Sequence, residues 1–163
     1  MGTPYPFHLR DYFFELSNFE VIGLDGPQAE EGADPKPLHS LQFQIGHPDE
    51  GGQVDEGVEK IVYRLIVLLN RVRELPPEVC YRGEFRIAGV FERPTRDSID
   101  PPPSMEEYHT LAVAGVISTL FGVIREHVAS LTAPTPFPKL VLPSISPAAI
   151  AEGMTKPGED EEE

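Results

Sequence analysis

Residues 120–146, LFGVIREHVASLTAPTPFPKLVLPSIS, start as a helix and finish as an apolar ribbon studded with proline. Helix cannot continue from Pro134 to Ser144, and Pro136, Pro138 and Pro143 exclude a central strand, because each ring fixes φ and removes a backbone donor. A nearly all-apolar helix therefore passes straight into a segment that can neither coil nor join the middle of a sheet.

Working back from this stretch, Ser104-Met105-Glu106-Glu107 has the S-x-x-E form of a capping box, which predicts a helix start there and an end near Leu131. One stripe of that helix is Val113, Val116, Ile117, Leu120, Ile124, Val128 and Leu131. The opposite side, with Ala114, Gly115, Ser118, Phe121 and Gly122, is small or apolar rather than charged. A helix apolar on both sides has to be covered on both sides, and one sheet covers only one. Each internal glycine costs about 1 kcal/mol against alanine, which close approach of another backbone would offset. The expectation is an oligomer with Gly115, Ser118, Phe121 and Gly122 at the subunit interface; the alternative is burial within one chain. Forward from the ribbon, Ser146-Pro147 is a serine cap with proline at the first helical position, so a short helix is expected from Pro147 to about Met154.

Upstream, Arg10 to Ile22 (RDYFFELSNFEVI) reads as a strand, bulged near Ser17-Asn18. Leu41 to Ile45 (LQFQI) alternates cleanly between an apolar and a wet face. Val58 to Arg73 fits a helical stripe and a strand equally well. Between Val79 and Val90, Tyr81, Phe85 and Ile87 oppose Arg82, Glu84 and Arg86, the pattern of a strand with one solvated, charged face. Gly23–Ser40 and His47–Gly57 read as turn regions, and Glu92–Pro103 as a proline-rich crossover. A single domain over 1–155 is expected, followed by an acidic tail, 156–163, ending GEDEEE.

The 163 residues carry 27 acids against 13 Lys and Arg, a formal charge of −14. That argues against nucleic acid and anionic lipid, whose phosphates need clustered cations, and favours a basic partner. The uncharged run Leu111–Ile124 is too short to cross a bilayer, so no membrane insertion is expected. The opening MGTPYPFHLRDYFF lacks the basic-then-apolar order of a secretory signal. Cys80 is the one cysteine, which permits no internal disulfide and fits a reducing, cytoplasmic setting.

Catalytic motifs are absent: no G-x-S-x-G, no phosphate-binding glycine loop and no H-E-x-x-H. The five histidines are scattered, Cys80 has no neighbouring pattern, and Glu106-Glu107 are explained by helix capping. No catalytic residue, metal or cofactor is expected, and the chain is not read as an enzyme.

The order of strands, crossover, long helix, extended piece and short helix resembles the SecB family of protein-export chaperones. Leu120-Phe121-x-x-x-Arg125-Glu126 looks like the family's L-F-P-Y-A-R-E, and Phe137-Pro138-Lys139-Leu140-Val141-Leu142-Pro143 through Ile150 is similar to F-P-x-L-x-L-P-P-V-N-F-D-A-L without a gap. Phe85-Arg86-Ile87-Ala88-Gly89 resembles F-x-I-A-G at the end of the fourth strand, and Val58-x-x-Ile61-Val62-x-Arg64 resembles the third, which favours strand for that segment. The likeness runs from about Leu9 to Ile150. It implies an α+β fold: a four-stranded antiparallel sheet packed on a long helix, with a short C-terminal helix.

It further implies a homotetramer, a dimer of dimers with the long helices sandwiched between outer sheets. Members hold unfolded preproteins without ATP in apolar grooves and pass them to the SecA translocase. The resemblance makes the proline ribbon a wall of subunit and groove. It assigns Leu41, Phe43 and Ile45, with Phe14, to the client groove, and Glu20 and Glu78 to the SecA contact on an acidic sheet surface. A third carboxylate position is held by Leu16, with Glu15 beside it. A SecB-like chaperone dedicated to a single client, such as an antitoxin, is the alternative reading.

Overall fold

Strand alternation and one long helical stripe meet in a two-layer α+β structure. A computed structural model describes residues 8–22, 39–46, 53–71, 80–134 and 140–155. The strands are β1 (His8–Ile22), β2 (His39–Gly46), β3 (Gln53–Asp55), β4 (Val58–Arg71) and β5 (Cys80–Pro94); the helices are α1 (Met105–Thr132) and α2 (Pro147–Thr155). The sheet is antiparallel, in the order β1-β5-β4-β2, with β3 paired to β4 beyond the end of β2. Four of these strands and both helices are as expected. Within the segment read as a turn region, three residues form β3, closing a hairpin through Glu56 and Gly57, both at positive φ. That is the twist a two-residue hairpin requires.

Two bulges shape β1, one between Leu9 and Asp11 and one between Phe14 and Leu16. The bulge expected at Ser17-Asn18 is not there; those residues pair regularly with Phe85 and Glu84. The reason is periodicity. Leu9, Phe14 and Phe19 are five residues apart, a spacing that in a regular strand would alternate their faces. One extra residue in each interval, Arg10 and Glu15, returns all three to the helix face, opposite Phe91, Ile87 and Gly83. Strand β5 also runs past Val90 into the segment read as crossover, because its inward alternation continues through Phe91 and Arg93, both buried. Pro94 falls at the strand end, where a missing donor is tolerated.

Ser104 caps α1 as the sequence predicts, its Oγ accepting from Glu107 N at 3.1 Å. The helix lies on the sheet over Leu65, Val67, Phe85 and Ile87, all fully buried. Contact is closest at Gly89: a Cβ there would lie 2.9 Å from Leu120 Cδ2 and 2.7 Å from the Phe91 ring. A side chain at this position would have to displace Phe91, Leu120 and Leu9 together. By length and composition α1 is apolar enough to cross a membrane, more than its uncharged run alone implied. In this fold nine of its residues are buried as the core helix.

The described part of the ribbon, from residue 140, is hydrogen-bonded to α1. Thr132 Oγ1 accepts from Leu140 N at 3.0 Å, Arg125 Nε donates to Leu142 O at 3.2 Å, and the Leu142 side chain is buried. Ser146 Oγ accepts from Ala149 N, starting α2, which packs on α1 through buried Ala151.

Candidate functional site

The apolar residues expected to line a groove sit at the two rims of the sheet. On β2, Leu41, Phe43 and Ile45 pair with Leu69, Val67 and Leu65 and are half-buried, while Gln42 and Gln44 point to solvent. Phe43 meets Phe121 of α1 edge-on at 5.3 Å. On β1, Phe14 lies 4.4 Å from the His127 ring, and Ser17 Oγ is 2.9 Å from His127 Nε2. Phe19 continues this rim, stacked on Tyr81 at 5.1 Å. With β5 and β4 between them, the two rims are three strand spacings apart, about 14 Å. Phe14 therefore does not join Leu41, Phe43 and Ile45 in one groove within a subunit. Phe19 and His127 were missed; the five-residue spacing from Phe14 to Phe19 carried the signal only once the bulge was known.

Of the residues expected at a subunit interface, Ser118 and Gly122 are exposed and Gly115 is half-buried. Phe121 is a correction: it is 3% exposed and belongs to the chain's own core. Helical geometry explains the difference, since Phe121 follows Ile117 by four and precedes Ile124 by three, placing it on the sheet-facing stripe. The open face carries instead Leu111, 47% exposed, above Gly115, Ser118 and Gly122. A Cβ at Gly122 would meet nothing within 4 Å.

Glu20 lies on the outer face of the sheet, exposed and ion-paired with Arg82 of β5. Glu78 lies outside the described residues, as does the tail 156–163. An acidic sheet surface was expected, yet among the described residues most charges of this face are paired and its balance is close to even. Glu15 pairs with Arg64, Glu84 with Arg86, and Glu92 with both Arg10 and Lys60. Arg10 holds the Glu92 carboxyl below the usual range by hydrogen bonding, at 2.6 Å.

One buried polar cluster was missed by sequence reasoning. Arg93 is 7% exposed; its Nε donates to Glu59 Oε2 and its Nη1 to the Tyr63 hydroxyl, each at 2.9 Å. Its guanidinium lies 4.5 Å from the Tyr108 ring centroid, and the Tyr108 hydroxyl donates to Pro94 O at 2.9 Å. Burial raises both tyrosine pKa values, with the Arg93 charge acting against it. The cluster joins the start of α1 to the ends of β4 and β5.

No three His, Cys, Asp or Glu side chains gather into a metal-binding group among the described residues. A cavity of about 640 Å³ at the β3–β4 hairpin is lined by Val54, Asp55, Glu56, Val58, Lys60 and Glu92, remote from both rims. Its Lys60 and Glu92 face each other at 3.6 Å.

No family model matches the chain, and no curated protein matches it in sequence. Among solved structures it is similar to the SecB-like chaperone Rv1957 of Mycobacterium tuberculosis, in complex with a ChAD peptide from the Rv1956 HigA1 antitoxin. The TM-score is 0.50 at 21% identity, over 86% of this chain and 88% of that one. A protein of unknown function from Streptococcus agalactiae aligns over 87% of this chain and 100% of its own, at 16% identity and a TM-score of 0.47. The antiparallel sheet, the long core helix and the short final helix together give this chain the SecB-like fold.

Proposed function

We propose that this chain is a nucleotide-independent holding chaperone that binds apolar segments of unfolded polypeptides. The observation that carries this reading is the pair of half-buried apolar rims, Leu41-Phe43-Ile45 and Phe14-Phe19, on a fold shared with a SecB-like chaperone. Such rims offer apolar area without demanding a sequence, and at about 25 cal/mol per Å² a few hundred Å² supplies useful affinity. The net charge of −14 keeps copies carrying such surface apart in solution. The working form in this reading is a cytoplasmic homotetramer without enzymatic activity, whose subunits meet over Gly115, Ser118 and Gly122. Assembly would bring rims of different subunits together, as one chain does not.

The finer reading in this proposal is delivery of preproteins to SecA through Glu20 and Glu78. A dedicated-client reading stands beside it. It is favoured by the antitoxin peptide held by the similar M. tuberculosis chaperone, and by the Arg82 charge beside Glu20.

The test is suppression of aggregation of several unrelated unfolded proteins without ATP, with the solution mass measured in parallel; four chains of 18.0 kDa give 4 × 18.0 = 72 kDa. Action on one client alone supports the dedicated form, and binding of no unfolded chain rejects both. For SecA, pulldown with its basic tail is compared with the Glu20→Lys, Glu78→Lys double variant. Unchanged binding removes the assigned contact.

A further inference from the structure

The sheet face turned away from α1 exposes more apolar surface than a solvated face requires. Phe13 is 52% exposed, Val62 37% and Leu16 36%. Phe13, beside Ala88, and Leu16, beside Arg86, occupy successive rows of β1, while Val62, beside Val90, lies one row further on β4, across β5 from them. Successive rows on one face of a sheet are about 6.8 Å apart. That is also the spacing of alternate side chains in an extended polypeptide.

Charge narrows the occupant. Among the described residues this face holds five cations, Arg10, Lys60, Arg64, Arg82 and Arg86, and six strand carboxylates, Asp11, Glu15, Glu20, Asp55, Glu84 and Glu92. Glu15, Glu20, Glu84 and Glu92 are each ion-paired with one or two of those cations. All five cations and four of the carboxylates are already engaged with one another, so the chain's overall charge of −14 overstates the pull of this surface on a charged partner. Size narrows it again. The exposed parts of Phe13, Leu16 and Val62 amount to on the order of 200 Å², against about 800 Å² per partner in a stable protein interface. A second copy needs more surface than this; a single extended segment does not.

We propose that the outer face of the sheet is a second docking track, along Phe13 and Leu16 of β1 with Val62 flanking it across β5, for an apolar, uncharged, extended stretch of polypeptide. This rests on the chaperone reading above and adds to it a contact separate from the rims. A long client would engage both faces of one sheet.

The experiment measures fluorescence anisotropy with a labelled, uncharged decapeptide of alternating Leu and Ser, and with a Lys-Ser counterpart. The Phe13→Ser, Leu16→Ser variant should bind the Leu-Ser peptide roughly tenfold more weakly than the unaltered chain, with binding of either protein insensitive to salt. Both substituted side chains are exposed, so melting curves should stay within a few degrees. Should the double variant lose its fold, benzoylphenylalanine at position 13 of the otherwise unaltered chain supplies the second readout, and cross-linking to the peptide supports the track. The proposal is overturned by undiminished binding without cross-linking, by preference for the Lys-Ser peptide, or by a lower solution mass of the variant, which would place a second copy here. Weakening only in a Leu41→Ser, Phe43→Ser variant overturns the track and leaves the chaperone reading standing. Failure of the unaltered chain to bind any unfolded probe overturns both.

Discussion

Gly122 separates a lone subunit from an assembled one. In the single chain a Cβ at this position meets nothing within 4 Å, and the residue lies well inside the 28-residue α1. Alanine removes the conformational freedom that glycine retains in the unfolded chain, so Gly122→Ala should stabilise an isolated subunit by about 1 kcal/mol. For a chain of this size that raises Tm by roughly 2–4 °C. An assembly in which another helix backbone approaches over Gly115, Ser118 and Gly122 behaves oppositely. There the added methyl groups overpack the contact, at about 1–3 kcal/mol per site, a cost repeated in every subunit. The assay is light-scattering mass together with thermal denaturation over a range of protein concentrations. For the proposed tetramer the expected result is loss of its 72 kDa mass, 4 × 18.0 kDa, in favour of smaller species whose individual subunits melt no lower than before. A full-mass assembly melting a few degrees higher would refute close packing on this face.

Three further outcomes follow from the core. Gly89→Ala should destabilise by about 1–3 kcal/mol, because its Cβ would fall within 3.0 Å of Phe91, Leu120 and Leu9 at once; an unchanged urea midpoint would mean α1 rides higher than described. Arg93→Met leaves the Glu59 carboxylate, whose side chain is 20% exposed, without its partner and should cost about 3 kcal/mol; the Glu59→Gln, Arg93→Met double variant should recover part of that in a double-mutant cycle. Burial holds the Tyr63 and Tyr108 phenols above 10.0 in the folded chain, so the unfolded chain releases those protons first. Stability from these groups is complete below pH 10 and declines as pH rises through the raised values. Tyr63→Phe should flatten that decline in alkaline urea titrations, and an unaltered slope would contradict it.

The alternation of Tyr81, Phe85 and Ile87 with Arg82, Glu84 and Arg86 was readable directly, because a strand half-covered by one layer writes its burial into every second residue. Segment 58–71 was not readable in this way. Its outward positions Val62, Ile66 and Leu68 are apolar too, so period alone could not separate strand from helix. Of the candidate site, each residue on a described strand or helix stands on the element expected for it. What escaped was the distance between Phe14 and Leu41, since strand order depends on pairings that leave no mark on either strand alone.

Local chemistry by itself settled where both helices begin and where the long one must stop: Ser104 and Ser146 start helices, and the prolines from 134 to 143 forbid both helix and central strand. These are constraints on φ and on nearby donors, acting within a few residues. Tertiary structure alone decided the rest. It turned Phe121 inward, moved the β1 bulges to positions that keep Leu9, Phe14 and Phe19 on one face, and enclosed Arg93 between two tyrosines. It also gave the described outer sheet face nearly balanced charge while the whole chain is acidic. Each of these depends on which distant residue arrives opposite, and burial and ion pairing are properties of that meeting rather than of either partner.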